Sequence, residues 1–147
     1  MEPEEVKNKL GDYSKVFADT PIFLYFFEEN PDWIDSVIPA FELAEQKEIK
    51  LVTSTITTLE VITGFAQEDD QESIESFKDM LKEFGVEVLN FKREHVEVAA
   101  QLRAEHGFKT PDTIQLALTV EEDIPAFLTN DQQLTAVDKT EVFYLGN

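Results

Sequence analysis

Short apolar runs alternate with stretches of helical period along most of the chain, and no other feature constrains the fold as much. Lys15-Val16-Phe17-Ala18-Asp19 reads as a buried strand ending in an acid. Pro21 to Phe27 continues as an apolar helical turn or two, closed by Glu28-Glu29-Asn30-Pro31. A helix is predicted from about Asp32 to Gln46, with Trp33, Val37, Ile38 and Phe41 on one side and Pro39 expected to bend or break it. Lys50-Leu51-Val52-Thr53 is a second strand, and Ser54 caps a helix that Gly64 should stop. Behind Asp69 or Asp70, the residues Ile74, Phe77, Leu81 and Phe84 recur at helical spacing as far as Gly85. Glu87-Val88-Leu89-Asn90 is a third strand, Lys92 to His106 a helix ended by Gly107, and Pro111 to about Glu122 another. Ala126-Phe127-Leu128 and Glu141 to Leu145 complete five strands. Strands separated by helices predict an α/β fold, a parallel sheet covered on both faces. No repeat or long linker divides the chain, so residues 1–147 read as one domain.

Composition sets the compartment and weighs against some partners. Hydrophobic residues make up 42% and there are 12 Phe, which suits a packed core rather than disorder. No apolar stretch approaches the roughly 20 residues a membrane helix requires. The start, Met1-Glu2-Pro3-Glu4-Glu5, is acidic where a secretory leader is basic, and cysteine is absent. A cytoplasmic protein without membrane association is the expectation. The formal net charge is −19, from 12 Lys plus Arg against 31 Asp plus Glu. Non-specific nucleic-acid binding rests on cations that meet phosphate, so this balance gives it no help. A solvated acidic surface explains the charge, and a surface built for a basic partner is the sharper reading.

Four of the acids stand where a site would form. In an open parallel sheet, sites lie at the carboxyl ends of the strands. Asp19 ends the first strand, and Asp131 follows the fourth by way of Thr129-Asn130. Asp112 lies at a helix start, where Thr110 can cap, Pro111 suits the first turn and the dipole favours an acid. Glu60 lies about two turns into the helix after the second strand, between Leu59 and Val61, and is expected to be buried and in need of a partner. Two carboxylates about 5 Å apart repel by roughly 3 kcal/mol at an effective dielectric near 20. Convergence of all four therefore implies a cation. With oxygen ligands, no sulfur and no clustered imidazole, Mg²⁺ or Mn²⁺ is the natural occupant, able to activate water and stabilise charge on a transferring phosphoryl group.

Phe17-Ala18-Asp19-Thr20, Ser54 to Val61, Thr110-Pro111-Asp112-Thr113-Ile114-Gln115-Leu116-Ala117 and Leu128-Thr129-Asn130-Asp131 resemble, in order and spacing, the four motifs of PIN domains. The resemblance covers nearly the whole chain and is strongest to the VapC-type ribonuclease toxins of prokaryotic toxin–antitoxin pairs. Ile22 to Glu28 resembles the segment after the first Asp in one branch of them. It implies a three-layer α/β/α fold with a central parallel sheet of about five strands. It also implies a divalent-metal-dependent endoribonuclease that hydrolyses RNA phosphodiester bonds, with a cognate antitoxin and a homodimeric state. Asp19, Glu60, Asp112 and Asp131 map onto the catalytic acids, with Asp19, Asp112 and Asp131 as metal ligands. Thr20 and Thr129 map onto the hydroxyl positions, and Asn130 onto the usual Asn. The chain departs at Pro21, where Asn is frequent, and at Leu134, where an aromatic is common. Neither departure removes a ligand.

Outside the quartet, Lys109 and Arg103 are the cations placed to approach phosphate, and Glu28 is either an accessory acid or a helix-end charge. His95 and His106 are too isolated for a zinc site and read as surface or half-buried residues. The helices around Trp33 and Phe77 offer apolar surface for a dimer. The competing function, of a different class, is a catalytically inactive PIN-like module that binds protein partners through its acidic surface. A phospho-acceptor receiver domain needs a second acid after the first strand and a Lys after the last. Asp19-Thr20 and Leu145-Gly146 supply neither.

Overall fold

The computed structural model describes residues 1–146. Its five strands, β1 (Lys15–Ala18), β2 (Lys50–Ser54), β3 (Glu87–Leu89), β4 (Ala126–Thr129) and β5 (Glu141–Tyr144), form one sheet in the order β3-β2-β1-β4-β5. Every pairing is parallel: Val16 pairs with Leu51 on one side and with Ala126 on the other, so β1 is central. The chain builds one half of the sheet outward from β1, then returns to its other flank. Asp19 thus sits at the switch in strand order, where the two halves of the sheet part.

Alternation along the strands sorts the core into two layers. Val16, Ala18, Leu51, Ala126 and Leu128 point to the side covered by α1 (Pro3–Leu10), α2 (Thr20–Phe27), α3 (Ile34–Glu45), α4 (Thr55–Gln67) and α5 (Gln71–Glu83). Phe17, Val52 and Phe127 point to the side of α6 (Val96–His106) and α7 (Thr110–Glu121). There Phe17 and Phe127 stack with centroids 5.4 Å apart, across the pairing of β1 with β4. This is the three-layer α/β/α arrangement expected. Among the described residues no helix is long and apolar enough to cross a membrane.

Local chemistry explains most of the boundaries. Ser54 Oγ accepts the Ile56 N–H at 3.1 Å and caps α4, while Asp70 caps α5 through the Ser73 N–H at 3.0 Å. Gly85 and Gly107, with φ of 62° and 70°, take the left-handed turns after α5 and α6. Two expectations need correction, and one helix had not been foreseen. The α4 helix passes Gly64 and runs to Gln67, because Val61 and Phe65 keep one buried stripe in phase across the glycine. Pro39 does not break α3: it is the sixth residue of a helix continuous from Ile34 to Glu45, with Val37, Ala40, Phe41 and Leu43 buried around it. Tertiary burial there outweighs the missing N–H bond. The acidic N-terminal residues form α1, which packs on α3 through Val6 and Leu10.

Candidate active site

The end of β1 delivers Asp19 to the carboxyl edge of the sheet, where it is also the cap of α2. One carboxylate oxygen accepts the Thr20 N–H at 2.9 Å and the other accepts the Thr129 hydroxyl at 2.9 Å. Asp19 is 5% exposed. Burial pushes its pKa up to about 6, the two hydrogen bonds pull it down, and the charges of Asp112 and Glu60 push it up again. Thr129 in turn accepts the Asp131 N–H at 3.0 Å, so a single hydroxyl spaces Asp131 from Asp19 across the pairing of β1 with β4. Asp131 caps the short 3-10 turn Gln132–Ala136 through the Gln133 N–H.

Asp112 is the third residue of α7 and half-buried. Its pKa is raised by burial first and then by the charges of Asp131 and Glu60, while Lys109 lowers it. The residue at the cap is Lys109; Thr110 is already helical, and its hydroxyl receives Arg103 Nη1 rather than capping the helix. Glu60 is exposed, not buried as its apolar neighbours suggest, because it and Leu59, itself 62% exposed, point outward from α4. Its partner is the Thr20 hydroxyl, which donates to Oε1 at 2.7 Å. Mutual charge effects therefore tie Asp19, Glu60, Asp112 and Asp131 into one cluster.

The remaining candidates divide. Thr20 and Thr129 hold carboxylates directly. Asn130 Nδ2 donates to the Tyr25 hydroxyl at 3.0 Å, and its Oδ1 is a buried acceptor with no partner among the described residues. Glu28 is not brought to the cluster: it is exposed beyond the end of the eight-residue α2, about 12 Å from the helix start. Sequence reading missed Thr53, Thr57 and Gln115, which are fully or almost fully buried beneath the acids. Gln115 Nε2 donates to Thr57 Oγ1 at 2.7 Å, and Ser54 Oγ donates to Gln115 Oε1. The one available signal was a polar residue within an otherwise apolar element, a helix for Thr57 and Gln115 and strand β2 for Thr53.

The cluster suits a hard divalent ion. Its donors are carboxylate oxygens, Asp19 and Asp112 are pushed toward protonation by burial and by neighbouring carboxylates, and Lys109 acts against this at Asp112. Among the described residues the trio whose ligand atoms lie within 4.8 Å of one another is Glu94, His95 and Glu122, and no three of the four acids come that close. Its chemistry is wrong for a metal. Nδ1 of His95 accepts the Lys92 N–H at 2.9 Å, so the ring proton sits on Nε2 and is donated to Glu122 at 2.9 Å, leaving no lone pair free. His95 is thus a buried strut, not a surface residue, and it lies at the opposite end of α7 from Asp112. His106 is half-buried and stacks on Phe108 at 4.8 Å. A cleft of about 560 Å³ lined by Lys47, Lys50, Lys82 and Gly85 lies at the amino edge of the sheet, away from the acids. Glu45, Glu48 and Glu83 line the same cleft, so it presents acids as well as lysines.

A family model described as PIN domain matches residues 16–140, a span that contains all four acids. The chain belongs to the PIN-domain family. The match opens in β1 and closes just before β5, so α1 lies outside it. No curated protein matches the chain. Among solved structures it is similar to VapBC2 from Rickettsia felis bound to a DNA fragment from their promoter. That likeness has a TM-score of 0.72 at 18% identity and covers 88% of this chain and 98% of that one. A toxin–antitoxin complex from Klebsiella pneumoniae is similar at a TM-score of 0.67 and 19% identity, covering 89% of this chain and 98% of that one. At such identities the likeness is one of fold.

Proposed function

We propose that this PIN domain is a divalent-metal-dependent endoribonuclease, the cytoplasmic toxin of a toxin–antitoxin pair. The observation that carries the reading is the cluster itself: buried Asp19, half-buried Asp112 and Asp131, and Glu60 held by Thr20, with Lys109 the cation acting on it. Repulsion among these groups is a standing cost to the fold, and a bound Mg²⁺ or Mn²⁺ would relieve it. Asp19, Asp112 and Asp131 would hold the ion. Bound there, it supplies charge that offsets the phosphoryl oxygens and acidifies water. The residues of the chain do the rest. Thr129 keeps Asp19 and Asp131 at fixed spacing, and Thr20 aims Glu60. Asp112, half-buried at the start of α7, would bring its carboxylate to the ion beside the attacking water. Arg103, anchored on Thr110, and Lys109 lie at the start of α7, where an RNA phosphate approaching Asp112 would meet them.

The toxin assignment draws on two solved structures of similar fold, VapBC2 with a fragment of its promoter and a complex named as toxin–antitoxin. An adjacent reading frame for a small DNA-binding antitoxin is expected, and its absence from the genome would count against this part. The net charge of −19 favours one other reading, an inactive module that binds proteins through its acidic face. Cleavage of a broad RNA panel with Mn²⁺ separates the two. Wild type should cut, and Asp112→Asn should cut at least about 100-fold more slowly with its fold intact. A wild type that leaves every RNA whole favours the binding module. An Asp112→Asn variant as fast as wild type removes Asp112 from catalysis.

A further inference from the structure

Beneath the acids runs a buried set of polar side chains that the reaction itself does not require. Thr57 Oγ1 receives Gln115 Nε2 at 2.7 Å, faces Thr53 Oγ1 at 2.8 Å and lies 3.1 Å from Thr20 Oγ1. Thr20 Oγ1 in turn lies 2.7 Å from Glu60 Oε1. A carboxylate brings no proton, so Thr20 must donate to Glu60. Thr20 has then spent its proton, and Thr57 must donate to Thr20. Both lone pairs of Thr57 are left to accept from Gln115 and from Thr53, which shares its proton with the Ala18 carbonyl at 3.0 Å. Three hydroxyl protons serve these four hydroxyl contacts, one of them shared, and the bonds from Thr57 through Thr20 point at Glu60.

The placement along the helices is as specific as the direction. Thr57 lies one turn from Glu60 on α4, and Gln115 one turn from Asp112 on α7. The amide-to-hydroxyl bond therefore joins the two helices one turn beneath the pair of carboxylates that they carry. Gln115 Oε1 also receives Ser54, the cap of α4, so a single side chain grips that helix at two points. Thr53, Ser54, Thr57 and Gln115 are 0%, 0%, 0% and 1% exposed, which makes each of these bonds costly to lose. Like charges on α4 and α7 push the helices apart, and this bond opposes the push.

We propose that Gln115 and Thr57 are positioning residues that fix Asp112, a ligand of the ion, against the helix that carries Glu60, and so set the shape of the divalent-ion site. The proposal rests on the metal-binding reading of the acids. Mn²⁺ calorimetry on purified full chain, with unfolding followed separately in chelator, tests it without RNA. Gln115→Leu removes both amide bonds at similar size, and Thr57→Val removes the hydroxyl at constant shape. Each should weaken Mn²⁺ binding about tenfold or more, the usual effect of losing a group that orients metal ligands. Thr57→Ser, which keeps the hydroxyl, should bind Mn²⁺ nearly as wild type does. Should Gln115→Leu not fold, Thr57→Val and Thr57→Ser decide between them. Folded variants that are less stable yet bind Mn²⁺ with the wild-type constant would overturn the positioning role and leave the metal site standing. A wild type that takes up no Mn²⁺ would overturn the metal-site reading, and the positioning role with it.

Discussion

Asp19 keeps its proton to higher pH inside the fold than outside it, and the sign of that shift has a measurable effect. Its pKa rises from 3.8 to about 6, chiefly through burial. Between about pH 4 and pH 6 the native state therefore binds more protons than the unfolded one, so stability falls as pH rises through that window. Above about pH 6 the full penalty is present, of the order of 3 kcal/mol from this one group. The burial of Asp112 adds in the same direction. Asp19→Asn, unfolded in urea with chelator present, should be more stable than wild type at pH 7 by up to about 3 kcal/mol, with the gain vanishing near pH 4. A difference independent of pH would refute this origin. Asp19 was legible in the sequence because an acid that closes an apolar strand has few excuses. Glu60 was legible for the wrong reason. Its neighbours Leu59 and Val61 suggested burial, yet on a helix adjacent residues face different ways, and only Val61 of the three turns inward. Thr57 and Gln115 left only the faint signal of a polar residue in an apolar helix, since their bond joins positions 58 residues apart.

Among the elements, the end of α7 shows how a buried polar group can serve the fold alone. His95 ties the 3-10 turn Arg93–His95 to Glu122, the cap of α7, and accepts the Lys92 N–H with its other nitrogen. His95→Ala leaves the Lys92 amide and the packing under α6 unsupported. It should cost about 1–3 kcal/mol in denaturant unfolding while Mn²⁺ affinity stays at the wild-type value. A loss of Mn²⁺ binding in the folded variant would mean that the two ends of α7 are coupled. Strands and long helices were readable because their periods are strong, as in α5, where Ile74, Phe77 and Leu81 all turn inward. The α1 helix was not, for its inward face is only Val6 and Leu10 among charged neighbours. Pro39 and Gly64 misled for one shared reason: a local breaker signal is weak against a buried stripe that continues on both sides of it.

At the scale of the whole molecule, net charge governs association. Two copies at −19 repel unless they meet through a face poor in charge. Phe77, part of the surface expected to support a dimer, is wholly buried in the core. The large apolar side chains left exposed are Leu59 and Val96. A homodimer is nonetheless the expected state, tighter at about 0.3 M salt than at 0.05 M as screening shortens the reach of the repulsion. Light scattering at micromolar concentration that reports monomer alone at both salts would reject it. The sheet carries a last consequence, one of timing. Its central pairing joins Val16 to Ala126, and no two of its strands are linked by a hairpin. A growing polypeptide must therefore emerge nearly whole before Asp19 can meet Asp131. Parallel pairings so distant in sequence form slowly, after a large cost in loop closure. Whatever chemistry the acids perform, a ribosome making this protein is exposed to it only after most of the chain has been made.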